Sequence, residues 1–61
     1  MTNQELWDCR DKLREAQELV KTVRDLYVAD GNAAGVFLLS EVMAALEDEI
    51  TALDARISQQ P

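Results

Sequence analysis

Two sets of apolar residues recur at spacings of three and four, one set in each half of the chain, and that rhythm constrains the fold more than any other feature. Leu6, Cys9, Leu13, Ala16, Val20, Val23 and Tyr27 make the first set, and Val36, Leu39, Met43, Leu46, Ile50, Leu53 and Ile57 the second. This is the a/d pattern of a coiled-coil seam; no run alternates with the period of two that a strand requires. Local signals bracket both halves. Thr2-Asn3-Gln4-Glu5 is an S/T-x-x-E capping box. The stretch "ADGN" joins a glycine suited to a left-handed helix end with an asparagine suited to opening the next helix. The reading is one domain over residues 1–61, with helix 1 over about 2–29, a turn at about 30–32 and helix 2 over about 33–58. The tail "SQQP" is free to fray.

The register strengthens this. In an antiparallel hairpin turning near residue 31, facing residues have numbers with a nearly constant sum. Tyr27 with Val36, Val23 with Leu39, Val20 with Met43, Ala16 with Leu46, Leu13 with Ile50, Cys9 with Leu53 and Leu6 with Ile57 all sum to 62 or 63. Every layer closes, and the small residues Ala16 and Cys9 each face a leucine, as interdigitated packing prefers. The expected fold class is therefore all-α: an antiparallel, coiled-coil-like helical hairpin.

A chain of 61 residues has a small core, and chains of this size commonly lean on disulfides, metals or oligomerisation. With one cysteine and no histidine, neither an internal disulfide nor a zinc site is expected. Cys9, in a seam position, reads as a small hydrophobe. General acid–base or nucleophilic catalysis needs a sheltered titrating group or a base beside a nucleophile. Ser40 and Cys9 have no such neighbour in the pattern, and no glycine-rich phosphate loop is present. No catalytic, cofactor-binding or metal-ligating residue is assigned, and the expectation is a protein that is not an enzyme. No signal segment is evident, and the longest apolar run, "GVFLL", is too short to span a bilayer. The expected location is the cytoplasm.

Oligomerisation has an obvious substrate, because the stretch "GNAAGVFLLSEVMAALEDEI" holds more apolar residues than one seam can absorb. At 100° per residue, Leu19 and Leu26 fall to one side of the first seam, and Leu38, Val42 and Ala45 to one side of the second. In an antiparallel pair these flanks share one broad face, while Arg10, Lys21, Ser40, Glu47, Thr51 and Asp54 share the other. The apolar face is read as a homodimer interface, two hairpins closing into a four-helix bundle. The alternative is that it receives a different protein. Phe37 points away from both the seam and this face, on an outer edge with Glu41, Ala44 and Asp48. With Tyr27 at the top of the seam, these residues make the candidate partner-binding site: an aromatic anchor, small neighbours and an acidic rim. A solvated outer edge is the plainer reading of the same residues. Trp7 also points outward and is expected to lie against Arg10 or Arg14.

Charge narrows the partner. Residues 1–29 carry five basic and six acidic side chains, and residues 30–61 carry one basic side chain against six acidic. Most of the net charge of −6 thus belongs to the second half. Phosphate backbones repel such a surface, whereas a basic protein surface is attracted. No direct nucleic-acid or membrane contact is expected. Two alternatives remain: a structural or adaptor dimerisation module, and a small RNA-binding helical hairpin dimer of the kind that displays basic residues on a bundle face.

The segments "LWDCRDKLREAQELV", "VRDLYVADGN" and "GVFLLSEVMAALE", in a short acidic hairpin, resemble the small phage-encoded quorum-sensing anti-activators of Pseudomonas phages. The resemblance implies a host-takeover protein acting in the host cytoplasm. It would inhibit transcription by occluding the basic DNA-binding domain of a LuxR-type activator, and the family is also linked to a type IV pilus assembly ATPase. It carries over no individual binding residue.

Overall fold

Helix α1 spans Asn3–Asp30 and helix α2 spans Ala33–Ser58 in the computed structural model, which describes residues 1–59. Gln60 and Pro61, the end of the tail expected to fray, lie outside the described residues. The two helices pack against each other as a hairpin measuring 48 × 14 × 13 Å. The 28 residues of α1, rising 1.5 Å each, account for about 42 Å of that length, and the turn and the chain end supply the rest.

Each boundary has a local cause. At the start of α1 the Glu5 N–H donates to the Thr2 hydroxyl at 3.2 Å, and the Thr2 N–H donates to the Glu5 carboxylate at 3.1 Å. Two donors that the first turn would leave unpaired are thereby satisfied reciprocally. The amide bond from Thr2, helped by its hydroxyl, lowers the Glu5 pKa below its ordinary value. At the other end Gly31 takes φ 74°, ψ 17°. Its N–H donates to the Val28 carbonyl at 3.1 Å, and the Asn32 N–H donates to the Tyr27 carbonyl at 3.0 Å. This is a Schellman closure, and it needs a residue without a Cβ in the left-handed region. Asn32 then opens α2, its side-chain oxygen accepting the Gly35 N–H at 2.9 Å. One tetrapeptide thus ends one helix and starts the next, with no residues to spare.

Burial follows the expected seam positions, unevenly. Leu6, Ile50 and Leu53 are buried, Leu6 to 1% exposure. Cys9, Leu13, Ala16, Val20, Tyr27, Val36, Leu39, Met43, Leu46 and Ile57 are partly covered. Val23 departs from the expectation: it is 41% exposed. On the helical wheel it stands at the edge of the seam nearest Leu19 and Leu26, so a two-helix contact covers only its inner side.

Cross-seam polar contacts among the described residues all lie on one broad face. Arg10 donates to Asp54 at 3.2 Å, and Arg14 reaches the other oxygen of that carboxylate at 3.4 Å. The Gln17 amide donates to Glu47 at 3.0 Å and to the Met43 carbonyl at 3.5 Å. The bond to Asp54 raises the Arg10 pKa above its ordinary value. Arg10 also lies 4.3 Å from the centre of the Trp7 ring, a cation–π contact. Trp7 is therefore tied to the Arg10–Asp54 pair.

Candidate protein-binding surfaces

The residues left over from the seam sort into two separate surfaces. The first is the apolar broad face. Leu19, Leu26, Leu38, Val42 and Ala45 are all exposed, Leu19 to 69%. Helical spacing sets them on one side of the hairpin, the side opposite the Arg10, Arg14 and Gln17 ties. Val23 extends this surface, so the face is a band of five large apolar residues and an alanine. No hydrogen bond or ion pair between the helices crosses it among the described residues.

The second surface lies on the outer edge of α2 and around the turn. Phe37 is 68% exposed. Glu41, Ala44 and Asp48 follow it at intervals of four, three and four, which keeps all four on one edge of the helix. Glu41, Ala44 and Asp48 are exposed. Tyr27 is half-buried, and its ring packs against the first turn of α2. Tyr27 and Phe37 line one groove of about 490 Å³ beside the turn, together with Val28, Val36 and Ser40. Of the five residues assigned to partner binding, the groove unites Tyr27 and Phe37. The carboxylates of Glu41 and Asp48 stand further along the same edge, outside it.

Two contributors escape a periodicity argument. Gly35 permits the Tyr27 ring to approach: a Cβ there would sit 2.8 Å from Tyr27 Cδ2 and 3.0 Å from Cε2. The signal available was a glycine inside a helical pattern, which costs helix stability unless something packs closely on it. Val28 is exposed and lines the groove. It lies off the heptad positions, and only the shape of the turn gives it a neighbour across the gap.

A second depression of about 430 Å³, near the chain ends, is lined by Met1, Cys9, Lys12, Leu13, Glu49, Leu53 and Arg56. The Cys9 thiol there donates to the Met1 sulfur at 3.7 Å, a weak contact that leaves Cys9 as packing. No helix among the described residues is long and apolar enough to cross a membrane.

Four of the six basic side chains of the sequence are engaged with carboxylates: Arg10 and Arg14 with Asp54, Lys12 with Glu15, and Arg24 with Asp25. Most acidic residues of α2, by contrast, face solvent, among them Glu41, Asp48 and Glu49. The outer edge of α2 accordingly combines one exposed aromatic ring with uncompensated negative charge. Comparison with protein-family models, with curated proteins and with solved structures gives no match.

Proposed function

We propose that the protein is a non-enzymatic binding module. Two copies pair through the Leu19, Leu26, Leu38, Val42 and Ala45 face, and the outer edge of α2 engages a basic protein surface. The observation that carries this reading is the exposure of Phe37 on an acidic edge, away from every surface that folding or pairing uses. A rigid ring on a helix loses little entropy on docking, and such anchors contribute most of the energy of an interface. The surrounding carboxylates attract a basic partner and raise its rate of encounter.

The DNA-binding domain of a LuxR-type transcription activator has the required chemistry, and it is the target implied by the resemblance to phage anti-activators. Binding there would occlude the DNA-contacting surface by competition. The RNA-binding alternative draws less support, because most basic side chains are already engaged with carboxylates, which lowers the positive potential offered to phosphates.

The test is a titration of the protein into a LuxR-type DNA-binding domain bound to its operator. DNA release is expected, with association slowing as salt screens charges beyond about 8–10 Å. Phe37→Ala should weaken binding at least about tenfold, equivalent to about 1.4 kcal/mol, with helicity and melting unchanged. Wild-type binding by Phe37→Ala removes the ring from the site. Salt-sensitive binding of RNA by the protein alone replaces the reading with the nucleic-acid one.

A further inference from the structure

We infer that the two copies pair with their turns at the same end, so that α1 of each copy lies against α2 of the other, antiparallel throughout. This rests on the pairing reading above and specifies its geometry.

Area gives the first argument. One of the four long sides of a 48 × 14 × 13 Å body with 4405 Å² of surface carries about a quarter of it, or about 1,100 Å². Stable interfaces bury roughly 800 Å² per partner, so side-to-side pairing over the full length suffices. The apolar band occupies only the half of this side nearer the turn; the other half carries Asp8, Lys12, Glu49 and Arg56. If the copies ran in opposite directions, matching band to band would overlap only these half-lengths, about 550 Å² per copy and below that requirement. Sliding them to full overlap would press Leu26 and Leu38 of one copy against the charged half of the other. That desolvates charges without partners, a cost the apolar contact does not offset.

Charge gives the second argument. With the turns together, each residue of α1 meets the residue of the partner's α2 at its own level, which the 62–63 register defines. Leu26 then meets the second copy's Leu38, and Leu19 meets its Val42 and Ala45. In the charged half, Lys12 comes within about 3 Å of the level of Glu49, and Asp8 within about 3 Å of that of Arg56, at 1.5 Å per residue, opposite signs at both positions. Lys12 already pairs with Glu15 in its own chain at 3.4 Å, so the second copy's Glu49 completes a three-charge cluster about a single lysine. Rim pairs of this kind contribute little affinity but fix direction and register.

Spin labels at the chain ends read the orientation directly. In a Cys9→Ala background, the exposed positions Ser58 and Gln4 are replaced singly (Ser58→Cys or Gln4→Cys) and labelled; each variant is sized by sedimentation, and label-to-label distances are measured by pulsed electron resonance. With helix axes 8–10 Å apart, the same-end dimer gives a distance below about 35 Å at either position. A dimer with copies opposed separates the same labels by about 40 Å at full overlap and by more than about 50 Å when only the apolar bands overlap, from 1.5 Å of rise per residue. Either longer distance in a sedimenting dimer overturns the orientation and leaves pairing intact. A folded monomer at high concentration overturns pairing itself, and the orientation with it.

Discussion

The half of the hairpin near the chain ends and the half near the turn share one heptad pattern, yet they are built differently. Leu6, Ile50 and Leu53, the buried side chains among the described residues, all lie in the end half. Long side chains lie over the seam there: Met1 against Cys9, and Arg10 between Trp7 and Asp54. In the turn half Val23 is 41% exposed and Leu26, Leu38 and Phe37 project outward. Nothing on their flanks reaches across. A regular seam therefore does not guarantee uniform burial, because in a two-helix protein coverage depends on what the flanking positions carry. One half holds the fold, and the other offers surface.

The largest effect should come from applying one substitution to both halves. Leu6 is 1% exposed and Leu26 is 65% exposed, on the same helix. Leu6→Ala should cost about 2–5 kcal/mol at any protein concentration. Leu26→Ala should cost an isolated hairpin no more than about 0.5 kcal/mol, with a further loss only at concentrations where copies pair. Melting each variant at low and high concentration separates the two. Equal losses at both positions would erase the distinction between the halves.

A smaller effect is expected at the turn. Gly35→Ala puts a methyl group 2.8 Å from the Tyr27 ring. Overpacking of about 1–3 kcal/mol outweighs a gain in helix propensity of about 1 kcal/mol, for a net loss of about 1 kcal/mol in chemical denaturation. A stabilised variant would mean that Tyr27 swings aside freely and does not shape the groove.

The smallest effect belongs to the far end of α1. Thr2→Ala removes the hydroxyl half of the capping box, the acceptor for the Glu5 N–H, and should cost about 0.5–1 kcal/mol. The Glu5 pKa is lowered from 4.5 in the folded protein, chiefly by the Thr2 amide. A carboxylate with a depressed folded-state value contributes stability that is complete above its unfolded value and lost as pH falls through the folded one. The difference between wild type and Glu5→Ala should accordingly shrink on acidification below 4.5, because Thr2→Ala keeps the backbone N–H that holds the carboxylate. A difference that stays constant into acid would show that the carboxylate bond adds nothing.

Much of the fold was legible in the primary structure, because its determinants are local. The 3,4 spacing defines a stripe on each helix, Thr2 through Glu5 can only cap each other, and Gly31 with Asn32 joins a left-handed helix end to an N-cap. A turn this short leaves the antiparallel register almost no freedom. The separation of an apolar broad face from the Phe37 edge followed equally from 100° per residue.

Only the tertiary structure decided how deeply each position is covered and which leftover residues meet. Val23 belongs to the heptad but lies open at its edge. Tyr27 and Phe37 share a groove that Glu41 and Asp48 do not enter, and Gly35 earns its place in α2 by admitting a ring from α1. Periodicity specifies the direction in which a side chain leaves its own helix. Its burial and its contacts depend on atoms of the other helix, brought beside it by the turn, and no spacing within one helix encodes those.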